Sequence, residues 1–218
     1  MRPLLAAMLL TGLGLTGPAG LGAAEVVTVL KAAKGGAALP EASVALIPLD
    51  RPAPPVGPDA QVEISQEAQE FLDYVTIVQA GTRIAFPNRD TVQHHVYSLS
   101  RVKKFELPLY NPGQRETQVF ETAGQVVLGC NIHDWMIAYV VVVPTPWFGK
   151  TDTAGRVSVS APAGRYRVGI WHPRMSAPVS EEITLDDAAP ASREFSLTLK
   201  PDRRIRRGGG GSKSGGYR

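Results

Sequence analysis

The sequence predicts an all-β fold made of two sandwich domains. Short runs rich in Val, Ile, Thr and Tyr recur along the chain between turn residues, which is the pattern of sandwiches and barrels. Gly and Pro are abundant, 22 and 18 of 218 residues, leaving little room for long helices. Only residues 65–74, where Ala68, Phe71 and Leu72 fall at helical spacing, read as a helical turn. A composition of 44% hydrophobic and 20% charged residues excludes a disordered or fibrous chain, and the single Cys excludes an intrachain disulfide. No phosphate-binding G-x-x-x-x-G-K-[ST] loop is present.

In chain order, residues 1–24 read as a secretory signal peptide. Arg2 precedes a broken apolar stretch, and Gly22-Ala23-Ala24 offers the small residues that suit cleavage near Ala24. The alternative, a membrane anchor, is opposed by Gly12, Gly14, Gly17 and Pro18 within the stretch. No later stretch reaches the roughly 18 apolar residues of a spanning helix. The expectation is an exported, periplasmic protein starting near Glu25.

Strands are expected at residues 25–31 and 42–48, separated by Gly35-Gly36 and Pro40. Residues 51–58 hold four prolines and read as an extended linker. Strands at 74–79 and 82–86 flank the Ala80-Gly81 turn, and 95–99, 116–121, 125–128 and 138–143 continue the series. The texture changes at Pro144-Thr145-Pro146, which suggests a domain boundary. Further strands follow at 156–160, 166–171, 182–185 and 194–199.

Charge is unevenly spread. Residues 200–218 carry seven basic residues against Asp202, whereas residues 25–199 carry fifteen basic and nineteen acidic ones, a net of −4. The pI of 9.1 therefore belongs to the tail. This Gly-rich tail reads as a flexible solubilising segment; the alternative is contact with an anionic surface or an acidic partner. A nucleic-acid partner is not expected, because aromatic and basic residues are not interleaved.

The chemistry concentrates in Cys130-Asn131-Ile132-His133-Asp134-Trp135-Met136. Thiolate, imidazole and thioether stand at i, i+3 and i+6, the ligand types of a mononuclear blue-copper site, which also needs a second His. The sulfur ligands suit Cu(I), and imidazole serves both oxidation states. Four histidines exist, at 94, 95, 133 and 172, and His94-His95 is the source of the missing ligand. Each feature alone has a plain alternative: a lone Cys is often a small core hydrophobe, and Met136 and Trp135 suit ordinary packing. Zinc held by Cys and two His is the metallic rival. A Cys–His nucleophile lacks an orienting third group.

Residues 62–143 resemble the cupredoxins, the plastocyanin and amicyanin group. The likeness rests on Glu70-Phe71, Val75 to Val78, Gly81-Thr82, Ile84 to Asn88, His94-His95-Val96 and the spacing Cys130-x-x-His133-x-x-Met136. The chain as a whole is similar to periplasmic cupredoxin-like proteins of the methylamine utilisation type, through His94-His95-Val96-Tyr97-Ser98 and Leu128 to Met136. The resemblance implies one copper ion held by His94, Cys130, His133 and Met136. It departs in placing His95 where those proteins have Asn. Aligning Val96 makes His94 the ligand, and alternation along a strand then points His95 outward as an exposed imidazole; His95 as ligand is the alternative.

Residues 25–50 and 148–199 resemble the two halves of a carboxypeptidase-regulatory-like sandwich, on Leu39 to Val44, Thr151 to Val157 and Pro162 to Tyr166. The expected architecture inserts the copper domain between these halves and puts His172 in the outer sandwich. The expected function is a non-enzymatic periplasmic electron carrier with a redox or copper-exchange partner protein. The alternatives are copper storage or delivery, and a metal-free interaction module.

Overall fold

In the computed structural model, residues 23–186 and 190–202 are described. The expected signal peptide up to Gly22 and the tail from Arg203 lie outside them; Ala23 and Ala24 open the first strand.

The described residues form strands and no helix. In chain order these are β1 (Ala23–Ala32), β2 (Ser43–Pro48), β3 (Gln61–Glu63), β4 (Gln66–Glu67), β5 (Glu70–Phe71), β6 (Val75–Gln79), β7 (Thr82–Pro87), β8 (His94–Ser100) and β9 (Lys103–Tyr110). They continue with β10 (Arg115–Phe120), β11 (Gly124–Cys130), β12 (Ile137–Val143), β13 (Phe148–Lys150), β14 (Arg156–Pro162), β15 (Gly164–Trp171), β16 (Val179–Leu185) and β17 (Ala191–Leu197). The all-β expectation holds.

Alternation along each strand sets which face is buried. In β1, Ala24, Val26, Thr28 and Leu30 are buried, and the residues between them are half-exposed. The first and last thirds of the chain meet in two sheets. The central strand β1 pairs antiparallel with β14 and parallel with β17, and the other sheet runs β13-β2-β15-β16. Between them lies a core that includes Leu30, Val44, Leu46, Tyr166, Val168, Ile170 and Leu197. Burying one such aliphatic or aromatic side chain contributes about 1.5–3 kcal/mol. Gly155 makes the turn before β14 possible: its φ is +71°, and a Cβ there would collide with the Leu30 carbonyl oxygen.

The middle of the chain builds the sheets β6-β12-β11-β8-β9 and β10-β7-β3. Ile64, Ile84, Phe86, Val96, Phe120, Val126, Leu128, Ala138 and Val140 fill the space between them. A third apolar cluster joins the two parts, with Ala45 from β2 against Val75, Val141 and Val143. The Lys150 ammonium spans the same junction, donating to the Val75 carbonyl at 3.0 Å and pairing with Glu41 at 3.3 Å and Asp73 at 3.7 Å.

Two expectations need correction. Residues 65–74 are not helical. β4 and β5 form a hairpin, with Gln66 opposite Phe71, and its turn residues Ala68 and Gln69 have φ of 52° and 58°. Two consecutive left-handed residues suit the twist of a two-residue hairpin. Leu72 is exposed, so the helical-looking spacing buries no common stripe. The strand Lys103–Tyr110 had no counterpart in the predicted series. It is the edge of its sheet, where Lys103, Lys104 and Pro108 mask the apolar signal and where a Pro lacking an N–H is tolerated.

Candidate metal centre

The end of β11 and the start of β8 lie side by side, with Cys130 opposite Val96 and Gly129 opposite Tyr97. Alternation through Val126, Leu128 and Cys130 turns the thiol into the core. Gly129 leaves the opposite face bare, and the Tyr97 ring lies over it; a Cβ there would be 2.9 Å from the ring. The segment from Asn131 to Met136 then folds back. The Asn131 amide donates to the His95 carbonyl at 3.3 Å, and the Met136 amide donates to the His133 carbonyl at 2.9 Å.

This arrangement brings together His94, Cys130 and His133. The Cys130 Sγ is 3.8 Å from His94 Nδ1 and 3.5 Å from His133 Nδ1, and one ligand atom from each of the three lies within 4.8 Å of the others. An ion about 2.3 Å from a sulfur and about 2.0 Å from a nitrogen sets those atoms roughly 3.5–3.7 Å apart at angles near 110–120°. Both sulfur–nitrogen distances lie close to this range, so the donor set fits a single transition-metal ion. His94 and Cys130 are buried and His133 is half-buried. Met136 is buried in the same apolar cluster as Cys130. His172 lies at the end of β15 in the outer sandwich, where its Nδ1 accepts from the Arg174 amide at 3.2 Å.

His95 is not the exposed imidazole expected. It is only 8% exposed, and its Nε2 stands 2.8 Å from Glu106 Oε1. The register slips between the His94–Tyr110 and Val96–Leu107 pairs, with the extra residue on β9. Along β8 alternation holds: His95 lies on the face opposite His94 and Val96, and is covered there by neighbours that include Tyr97, ring centroids 6.0 Å apart, and Glu106. His95 does not belong to the His94–Cys130–His133 cluster.

The structure adds a residue that sequence reasoning missed. Asp90 Oδ2 stands 3.1 Å from His94 Nε2, on the side of the ring away from Cys130. Oδ2 also accepts the Gln69 amide at 2.6 Å, and Oδ1 accepts the Thr91 amide at 2.9 Å. The Asp90 amide donates to Asn88 Oδ1 at 3.0 Å, and Asn88 is itself buried, donating to the Val92 carbonyl at 2.9 Å. Burial disfavours the Asp90 charge, but the Gln69 and Thr91 amides and His94 outweigh it and hold the carboxyl below its ordinary range. The only sequence signal was an Asn-x-Asp turn four residues before the His. Gln69 also works from its other side, since its carbonyl accepts the Trp135 Nε1–H at 2.9 Å. One residue of the β4–β5 turn thus touches both Asp90, which holds His94, and Trp135, whose ring lies 5.4 Å from that of His133. Nearby, the Tyr110 hydroxyl donates to Gln66 Oε1, and burial, followed by the neighbouring Cys130, pushes its pKa far up.

No family model and no curated protein matches this chain. Among solved structures, part of it is similar to a purple cupredoxin from Nitrosopumilus maritimus, at 27% identity and a TM-score of 0.34, covering 39% of this chain and all of that one. It is also similar to a reduced amicyanin variant, at 22% identity and a TM-score of 0.36, covering 46% of this chain and 98% of that one. A second amicyanin variant, in the Cu(I) form, is 22% identical with a TM-score of 0.36, covering 39% and 84%.

Proposed function

We propose that this chain is an exported cupredoxin-type protein that binds one copper ion and carries single electrons in the periplasm. The observation that supports it most directly is the Cys130 sulfur, 3.8 Å and 3.5 Å from the Nδ1 atoms of His94 and His133, with His94 and Cys130 buried and His133 half-buried. Cys130, His94 and His133 would hold the ion, and the thioether of Met136, buried in the same cluster as Cys130, would be a weaker fourth contact. Bound copper supplies a one-electron couple between Cu(I) and Cu(II).

The protein's own contribution is rigidity and exclusion of water. Cys130 and His94 sit on strand ends of one sheet, so their spacing is set by backbone pairing and not by a mobile loop. Apolar neighbours such as Val96, Leu128 and Met136 keep solvent from the sulfur. A site already built to one geometry needs little rearrangement when the charge changes. His133 is half-buried and its neighbour Ile132 is exposed, which makes this loop the face for a redox partner.

We read the chain as a regulatory-like sandwich, residues 25–50 and 148–199, interrupted by the copper domain, residues 62–143. The leader 1–24 is read as an export signal. The test is to titrate Cu(II) into metal-free protein and record the visible spectrum with metal analysis. A one-to-one intense thiolate-to-copper band is expected. Reversible Cu(I) binding without such a band would favour storage or delivery, and the absence of copper binding would overturn the reading.

A further inference from the structure

We infer that Asp90 is a positioning residue of the metal centre: its carboxylate fixes the tautomer of His94 so that Nδ1 is free for the ion, and its negative charge favours the more oxidised ion. This inference rests on the copper reading above.

The first half follows from donor counting. A neutral imidazole carries one N–H. Asp90 Oδ2, 3.1 Å from His94 Nε2, is an acceptor, so the proton resides on Nε2. Nδ1 is then a bare lone pair, 3.8 Å from the Cys130 sulfur. The carboxylate cannot swing away easily. Its oxygens are held by two backbone amides from different segments, Gln69 in the β4–β5 turn and Thr91 after the Asn88 turn. Its side chain is 9% exposed and that of His94 is 0% exposed, so water does not compete for the Nε2–H.

The second half follows from charge. A backbone carbonyl in the same place would fix the tautomer equally well but would bring no net charge. A carboxylate raises the basicity of the imidazole it holds, and little solvent screens it here. Both effects stabilise a doubly charged ion more than a singly charged one. The left-handed Ala68-Gln69 turn has a consequence in this light, because it aims the Gln69 amide at the carboxylate. The other carboxylate beside this histidine pair, Glu106, is a natural control: it contacts His95, and its side chain is 73% exposed.

The experiment compares Asp90→Asn, Asp90→Ala and Glu106→Gln with the unaltered protein. Asn keeps an acceptor oxygen for Nε2–H but removes the charge. With copper bound, Asp90→Asn is expected to keep the visible band and to favour Cu(I) over Cu(II) about tenfold more than the unaltered protein does, a rise in potential of about 59 mV. Glu106→Gln is expected to leave the potential in place. Asp90→Ala, lacking the acceptor as well, is expected to lose about 10–100-fold in Cu(II) affinity. Nitrogen NMR of the imidazoles in the metal-free, unaltered protein tests the tautomer independently of copper and of any variant's folding. His94 protonated on Nδ1 would overturn the inference, as would an Asp90→Asn protein with an unchanged potential. An unaltered protein without a copper–thiolate band would instead sink the copper reading, while the NMR measurement still decides the Asp90 pairing.

Discussion

Cys130 is the one residue whose replacement separates metal chemistry from folding. It is a single buried side chain at the end of β11, and Ser is nearly its size. Cys130→Ser is expected to remove the visible thiolate band and most of the copper affinity while leaving the far-ultraviolet β signature intact; a variant that keeps the band would show that another group is the chromophore. The two adjacent histidines divide differently. His94→Ala opens a position beside Cys130 that added imidazole is expected to fill, restoring the band. His95→Ala is expected to keep the band but to cost about 1–3 kcal/mol, because it removes a buried ring, and urea unfolding of the metal-free protein measures this loss. At this scale the sequence carried the chemistry well. Residue types and spacing pointed to Cys130, His133 and the His94-His95 pair, the cupredoxin resemblance favoured His94 over His95, and the fold brings His94, Cys130 and His133 together. It did not carry Asp90, whose importance comes from a side-chain contact, or the burial of His95, which comes from neighbours such as Tyr97 and Glu106 covering the far face of β8.

Among elements, the legible ones were strands with clean apolar runs. Residues 138–143, expected as a strand, are β12 with one further residue, because Ala138, Val140 and Val142 fill the same core. The illegible ones owe their form to neighbours. The β4–β5 turn is held by Asp90 and Trp135, which lie far along the chain, and β9 is an edge strand rich in charge. The end of β2, where it meets the start of β15, yields a pH prediction. Asp50 accepts from the Arg51 side chain at 2.9 Å and from the Arg165 amide at 2.9 Å. The Arg51 hydrogen bond, followed by that from Arg165, lowers its pKa from 3.8 to about 2. The folded state thus prefers the charged form. Its contribution to stability is complete above the ordinary carboxylate value and fades as pH falls toward 2. Asp50→Asn is expected to lose stability at pH 6 but to soften the further decline between pH 4 and pH 2, which urea midpoints across that range would register. Parallel declines in the two proteins would contradict it.

The largest scale concerns how the two parts of the molecule depend on each other. β1 is the central strand of its sheet, flanked by β14 and β17, and β2 lies between β13 and β15. A chain of residues 148–199 would lack both and would expose the faces that Leu30, Val44 and Leu46 cover. Isolated, it is expected not to fold, since each of its two sheets loses an internal strand and not an edge. A chain of residues 60–146 is a different case. It keeps β3 through β12, the whole core around Phe86, Phe120 and Leu128, and every proposed ligand. What it loses is the junction, where Val75, Val141 and Val143 would face water instead of Ala45, and where Lys150 no longer reaches the Val75 carbonyl. That apolar face makes it prone to self-association but leaves the metal centre intact, because His94, Cys130 and His133 draw their support from β8, β11 and the β4–β5 turn. The expected outcome is well-dispersed amide NMR signals and copper binding from residues 60–146, and collapsed dispersion from residues 148–199. A well-folded 148–199 fragment would show that the strands from the start of the chain are dispensable and would contradict the interrupted-sandwich architecture.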